Sequence, residues 1–211
     1  MPSTPTRLCS CLTRAFVYTV YSMSTRADIL AAARQAFNEG GEAGLSLRDV
    51  AARVGLTPMA IYRHFENKQA LLNALMMEGL EEWQRRIAAI KPCTPARWLI
   101  KTSDAYLDFA LEDPRKFEAA FLLSSAASHR YPDIFLANRS PTVTLQLELV
   151  QRLVLGKRKA EDVLLTLFAL SLGLVTLYRT GRIAGGEQKF KTLYKRAMKN
   201  SLLSLTASAD D

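Results

Sequence analysis

Two helices too short to stand alone, joined at a glycine, constrain this chain more than any other feature of its 211 residues. They lie in SLRDVAARVGLTPMAIYRHFENK, residues 46–68. Ser46 followed by Asp49 is a capping pattern, and Leu45 and Val50 are spaced to close a hydrophobic staple across it. That predicts a helix over 47–54. Gly55 then sits where a left-handed residue would end it. Thr57 can cap the next helix, and Pro58 suits its first position, where the backbone N–H is unpaired anyway. This helix is expected to run to about His64, and Asn67 caps another. Helices of this length persist only by packing on each other and on a neighbour. Ala51 lets the two axes approach, Gly55 permits the turn and Ile61 fills the space between. This is the pattern of a helix-turn-helix, whose second helix enters the major groove of DNA.

The same spacing divides the second helix into two faces. Ile61 and Phe65 lie four apart and point inward. Thr57, Pro58, Met59, Ala60, Tyr62, Arg63 and His64 remain for DNA. Pro58, Met59 and Ala60 suit thymine methyl groups, and Arg63 suits guanine edges. Tyr62, His64 and Lys68 suit phosphate oxygens, as do the helix N-termini expected at Thr25, Ser46 and Asn67. Leu47 and Arg48, which open the helix after Ser46, complete the candidate DNA-binding set. Other readings stand for single positions: Met59 or Tyr62 as packing, His64 as a helix C-terminal cation, Arg48 and Arg53 as solvated surface.

Upstream, Thr25 with Asp28 predicts the start of a first helix, with Ile29, Leu30, Ala33 and Phe37 as its apolar stripe. Asn38-Glu39-Gly40-Gly41 is expected to end it. Residues 1–22 fit nothing that follows and are read as a disordered extension or a start-site artefact. Arg14 interrupts any signal-peptide stretch.

Residues 25–72 resemble the DNA-binding domain of the TetR family of bacterial transcriptional regulators. The resemblance rests on the first-helix stripe, the glycine turn, Tyr62-Arg63-His64-Phe65, the Asn67-Lys68 step and the Leu71-Leu72 start of the next helix. It implies that Thr57, Pro58, Met59, Ala60, Tyr62 and His64 read DNA, with Lys68 on phosphate. YLDFALEDPRKFEAAF (106–121) is similar to a Tyr-x-x-Phe-Ala-x-x-x-Pro stretch found in regulatory domains of many members. The implied architecture is all-α: a three-helix DNA-binding domain over 23–68, then a larger helical ligand-binding and dimerisation domain over 69–205, about nine helices in total, and a short tail over 206–211.

Periodicity predicts the later helices at about 68–90, 96–112, 113–127, 133–155 with a kink at Pro141, 159–184 and 187–205. The eighth and ninth of these helices carry more apolar residues than one core face needs: Leu164, Leu167, Phe168, Leu172, Gly173, Val175 and Leu193. By the resemblance they form a homodimer interface. A two-fold dimer spaces its recognition helices about 34–36 Å apart on a palindromic double-stranded operator. Trp83, Trp98, Tyr106, Phe117, Phe121 and His129 are the candidate ligand-pocket residues. Few charges fall on the inward stripes, so a hydrophobic or amphipathic small-molecule effector is expected. The alternative is a DNA binder that answers to a protein partner or to no ligand.

Charge and cysteine content narrow the field further. The chain carries 28 Lys and Arg against 20 Asp and Glu, a balance that favours an anionic partner. Residues 157–200 alone hold ten basic and three acidic residues. KRK (157–159) and KFKTLYKRAMK (189–199) read either as solvated helix faces or as a second anion site. Cys9, Cys11 and Cys93 cannot all pair, which points to a reducing cytoplasm. With only two histidines, no zinc spacing emerges and no metal or other cofactor is expected. The apolar run 163–178 has 16 uncharged residues, short of the about 20 a membrane span needs, so no membrane partner is expected. His129 near Ser124, Ser125 and Ser128 lacks an acid partner and a nucleophile turn, so no enzyme activity is expected. Cys93 offers only a thin case for a redox switch.

Overall fold

Helices are the only regular elements among the described residues of the computed structural model: 9–123, 140–154 and 159–206, with side chains described from Thr25 onward. They are α1 (Cys9–Gly44), α2 (Leu47–Arg53), α3 (Pro58–Ile61), α4 (Lys68–Ala88), α5 (Pro95–Glu112), α6 (Pro114–Phe121), α7 (Pro141–Gln151), α8 (Ala160–Arg179) and α9 (Gly186–Thr206). The chain divides into two compact units, Met1–Met77 and Glu78–Asp211.

In the first unit the caps at Ser46, Thr57 and Asn67 fall where the sequence places them. The Ser46 hydroxyl accepts from the Asp49 N–H at 3.0 Å, the Thr57 hydroxyl from Ala60 N–H at 3.2 Å and the Asn67 side chain from Ala70 N–H at 2.8 Å. Each satisfies a donor the helix start would leave orphaned. Gly55 adopts φ 68° between α2 and α3, a conformation that is costly for a residue with a Cβ. Ile29, Ala33, Phe37, Leu45, Val50, Ala51, Ile61 and Phe65 are buried together with Leu71, Leu72 and Leu75 of α4. Those three leucines carry the unit past Lys68, where the domain boundary was expected, and into α4.

The start of α1 differs from expectation. The helix begins at Cys9, so residues 9–22 are helical and Thr25 lies inside a helix. No Gly or Pro stands between Cys9 and Thr25 to stop it, and a cap-type residue does not by itself end an existing helix. The break comes at Gly41, with φ 62° and ψ −156°, inside the segment expected to close the first helix. A further turn then runs to Gly44.

In the second unit α5 is central and packs against α6, α7, α8 and α9. Trp98, Leu99, Thr102, Tyr106, Phe109 and Ala110 are buried along it. The buried face of α9 repeats every fourth residue, through Phe190, Tyr194, Met198 and Leu202. Phe190 stacks on Tyr178 of α8 at 4.1 Å between ring centres.

Three later helices are shorter than expected from the sequence. Helix α6 stops at Phe121, where Leu122 is its C-cap. Pro141 does not kink a longer helix but opens α7, with the Ser140 hydroxyl accepting from Val143 N–H at 3.3 Å. A proline lacks the N–H that only a first-turn position can spare. Helix α8 closes at Arg179, where the Thr180 hydroxyl returns to the Thr176 carbonyl at 2.8 Å and Arg182 N–H bonds the Leu177 carbonyl at 2.9 Å. By length and composition α8 could cross a membrane. It instead buries Val163, Leu164, Leu167, Ser171 and Val175 against its neighbours.

Candidate nucleic-acid interface

Helix α3 is one turn long, and its geometry decides what it can present. Ile61 and Phe65 are completely inside the first unit, whereas Met59 is 74% and Tyr62 51% exposed. Burial of Ile61 and Phe65 contributes about 1.5–3 kcal/mol each, which anchors an element that has almost no stability of its own. Thr57, Pro58 and Arg63 are exposed, and Ala60 and His64 are half-buried. Beyond Ile61 the chain stays coiled: Arg63 N–H bonds the Ala60 carbonyl at 3.3 Å and His64 N–H the Ile61 carbonyl at 2.9 Å. The helix is thus shorter than the expected 58–64, yet Tyr62, Arg63 and His64 continue its curve.

On α2, Ser46 and Arg48 are exposed and Leu47 is half-buried. Two of the expected anion positions change character. Thr25 is within α1, so its backbone N–H is no helix-terminal donor. Lys68 sends its ammonium to the Glu42 carbonyl at 2.7 Å, where it satisfies an acceptor just past the Gly41 break. An ammonium has three donors, so this bond leaves capacity for an anion.

Two arginines hold this surface in place: Arg26, which the sequence reading left unassigned, and Arg53, which it read as solvated surface. Arg26 of α1 donates to the His64 carbonyl at 2.5 Å, and its guanidinium lies 4.2 Å from the centre of the Phe65 ring. Arg53 makes a two-pronged pair with Glu39 at 2.7 and 2.9 Å and also reaches Asp49 at 2.9 Å. These partners hold the Arg53 guanidinium above its usual range, and the Arg53 hydrogen bonds pull Glu39 below its own. Arg53 therefore ties α2 to α1 and is not loose surface. No signal in the linear sequence joins Arg26 to His64 or Glu39 to Arg53, because each pair is distant along the chain.

The expected pocket residues gather in the second unit. Tyr106 is ringed by Phe117 and Phe121 at 5.0 Å, Trp83 at 5.7 Å and Phe168 at 6.1 Å between ring centres. Most of these pairs are edge-to-face, a favourable aromatic arrangement. Trp98 is buried in the same core without joining the cluster. His129, Ser124, Ser125 and Ser128 lie outside the described residues, as does most of KRK 157–159. Cys93 is a half-buried free thiol, and no group of metal-ligating side chains forms among the described residues.

Residues 29–75 match the family model for bacterial regulatory proteins of the tetR family, and residues 99–200 match the tetracyclin repressor-like C-terminal domain. The chain belongs to the TetR family. Family members are DNA-binding transcriptional regulators rather than enzymes. This TetR-family chain is 42% identical over 67 residues to the HTH-type transcriptional regulator TtgR of Pseudomonas putida, covering 32% of the chain and 31% of that relative. The match thus spans under a third of the relative's own length. It is 26% identical over 161 residues to the tetracycline repressor protein class A from transposon 1721 of Escherichia coli, covering 76% of the chain and 69% of the relative. A TetR variant from Acinetobacter baumannii AYE, solved in complex with minocycline, superposes with a TM-score of 0.62 at 21% identity, over 85% of this chain and 97% of that one. That likeness is one of fold.

Proposed function

We propose that this TetR-family protein is a repressor that binds a palindromic operator as a homodimer in the cytoplasm and is released by a small hydrophobic or amphipathic molecule. The observation that carries the reading is the outward face of α3: a largely exposed Met59 and a half-exposed Tyr62 on an element anchored by Ile61 and Phe65. Large apolar groups this exposed in a monomer mark a binding surface. Thr57, Pro58, Met59, Ala60 and Arg63 meet base edges, while Ser46, Leu47, Arg48, Tyr62, His64 and Lys68 hold the sugar-phosphate backbone. Thr25, inside α1, is set aside as a helix-terminus site.

Dimerisation is carried by the far side of α8 and α9. Leu164, Leu167 and Val175 serve the chain's own core, with Phe168 at its edge against Tyr106 and Phe121, but Leu177 is exposed away from them, on the side of Ala169, Gly173 and Thr176. Leu203 of α9 is 58% exposed. Small residues between large apolar ones allow close helix approach, and a two-fold pairing buries both copies at once. A ligand among Trp83, Tyr106, Phe117 and Phe121 acts by favouring a spacing of the recognition helices that no longer fits the operator. This requires different affinities for the two states.

The test is a titration of the purified protein with its own upstream intergenic DNA and with scrambled DNA of equal length, near physiological salt, where non-specific binding is weak. Preference for the native DNA by about a hundredfold or more supports the reading. Equal affinity for both rejects a sequence-reading α3.

A further inference from the structure

Two acid-free stretches of the chain meet in the second unit. Residues 83–103 hold five Lys and Arg and no Asp or Glu, and residues 188–206 hold another five and no acid. The first stretch runs into α5 and the second makes up most of α9, and these helices pack on each other. Residue pairs across the seam fix their register. Ser103 bonds Tyr194 at 3.3 Å, Asp104 meets Lys195 at 3.6 Å, and Lys191 lies within electrostatic reach of Asp108 and Glu112. Higher numbers on α5 thus face lower numbers on α9, so the two run antiparallel. One turn beyond the Asp104–Lys195 pair, Lys101 of α5 and Lys199 of α9 stand on neighbouring turns of the same seam. Arg97 follows a further turn along α5, and Arg196 is a turn-neighbour of Lys199. Arg97, Arg196 and Lys199 are exposed and Lys101 is half-buried. None of the four forms an ion pair among the described residues, whereas Lys191 and Lys195, nearer the start of α9, are matched by Glu187 and Asp104. Like charges this close repel, so the cluster opposes the packing it sits on until an anion covers it.

We infer that this end of the α5–α9 seam holds the phosphate backbone of a duplex DNA segment other than the one α3 meets, through Arg97, Lys101, Arg196 and Lys199 and without regard to base sequence. The occupant follows from what the patch has and what it lacks. Cations one turn apart step by about 6 Å along each helix. They are strung out rather than converged on one point, which suits a repeating anion and not a small one. Leu203 is the only large apolar side chain marked by strong exposure on α5 or α9 among the described residues. A membrane-surface helix needs a whole apolar face, and a protein interface needs buried aromatic or aliphatic anchors. Sequence-independent DNA binding needs cations alone. Members of this family bind DNA, so duplex DNA is the polyanion such a protein meets. The inference does not depend on which sequence α3 reads.

The test uses the purified intact protein in a Tyr62→Ala, Arg63→Ala background, which blunts α3, with and without the four changes Arg97→Gln, Lys101→Gln, Arg196→Gln and Lys199→Gln. Each protein is titrated with a random-sequence duplex over about 50–200 mM salt. The background protein is expected to bind, with affinity falling steeply as salt rises. The fourfold variant should bind more weakly, and its slope of log affinity against log salt should be shallower by about 3–4, close to 0.9 for each cation removed. Its thermal midpoint and oligomeric size should match those of the background protein. With α3 intact, the same four changes should leave the preference for native over scrambled upstream DNA unaltered. No binding by the background protein, an unchanged slope in the fourfold variant, a changed oligomeric size, or tighter binding to phosphatidylserine vesicles than to the duplex would each overturn the inference. A parent that does not prefer its native DNA would reject the sequence-reading α3 alone, because the slope comparison is made without it.

Discussion

Arg26 of α1 donates to the backbone carbonyl of His64 at 2.5 Å and covers the Phe65 ring. The last turn of the recognition segment is thereby held from outside itself. Arg26→Ala removes a charged hydrogen bond and a cation–π contact, each about 0.5–3 kcal/mol before solvent screening. We expect a lower thermal midpoint and weaker operator binding. Arg26→Lys should recover part of the stability but less of the affinity, because an ammonium cannot both stack and hold the carbonyl. Thermal melts and a DNA titration on the three proteins check this. Unchanged affinity in Arg26→Ala would remove the brace.

Tyr62 and Lys68 separate two roles. Tyr62→Ala changes an exposed side chain and should alter stability by no more than about 0.5 kcal/mol while sharply weakening operator binding. Lys68→Ala should lower the salt dependence of binding by about one counterion, and lose up to about 1 kcal/mol of stability with its bond to Glu42. Titrations at several salt concentrations, with denaturant melts, distinguish the two. A stability loss with an unchanged salt slope would make Lys68 a purely internal cap.

Gly79 of α4 meets α6 at close quarters. A Cβ there would lie 2.8 Å from the Lys116 carbonyl oxygen and 2.9 Å from the Ala120 Cβ. Backbone cannot step aside as a flexible side chain can, so Gly79→Ala should cost about 1–3 kcal/mol. Urea unfolding checks it. A neutral or stabilising result would mean that the two helices separate freely.

Asp104 predicts a pH dependence. Burial raises its carboxyl above the ordinary value, against the pull of Lys195 3.6 Å away. A raised folded-state value means the folded protein holds the proton more tightly than the unfolded chain. Stability at this site is therefore greatest below the ordinary aspartate range and falls as pH rises through the folded value. Asp104→Asn should be as stable as the parent at neutral pH or more so, and lose that advantage in acid. Melts in acid, below the ordinary aspartate range, and at neutral pH give the comparison. A variant less stable at neutral pH would show that the Lys195 pair outweighs the desolvation.

What the sequence by itself determined is local. The caps at Ser46, Thr57 and Asn67, the turn at Gly55 and the inward pair Ile61 and Phe65 are short-range requirements, because each is settled within a few residues along the chain. The helical class and the existence of the helices were legible for the same reason. Helix ends were less so. Cap-type residues inside α1 did not stop it, and α6 and α8 ended at Phe121 and Arg179, short of the expected ends, since a helix end depends on competing bonds that composition does not reveal. Only the tertiary structure decided which face of α8 is core, that Arg26 grips His64, that Arg53 binds Glu39, and that Lys68 already has a partner. It alone brings the Tyr106 and Arg179 side chains to one ring, with the Tyr106 hydroxyl and Arg179 Nη1 lacking a partner among the described residues while Arg179 Nη2 bonds Glu118. These relations join residues far apart in the chain, and the geometry that selects them exists only once the helices have packed.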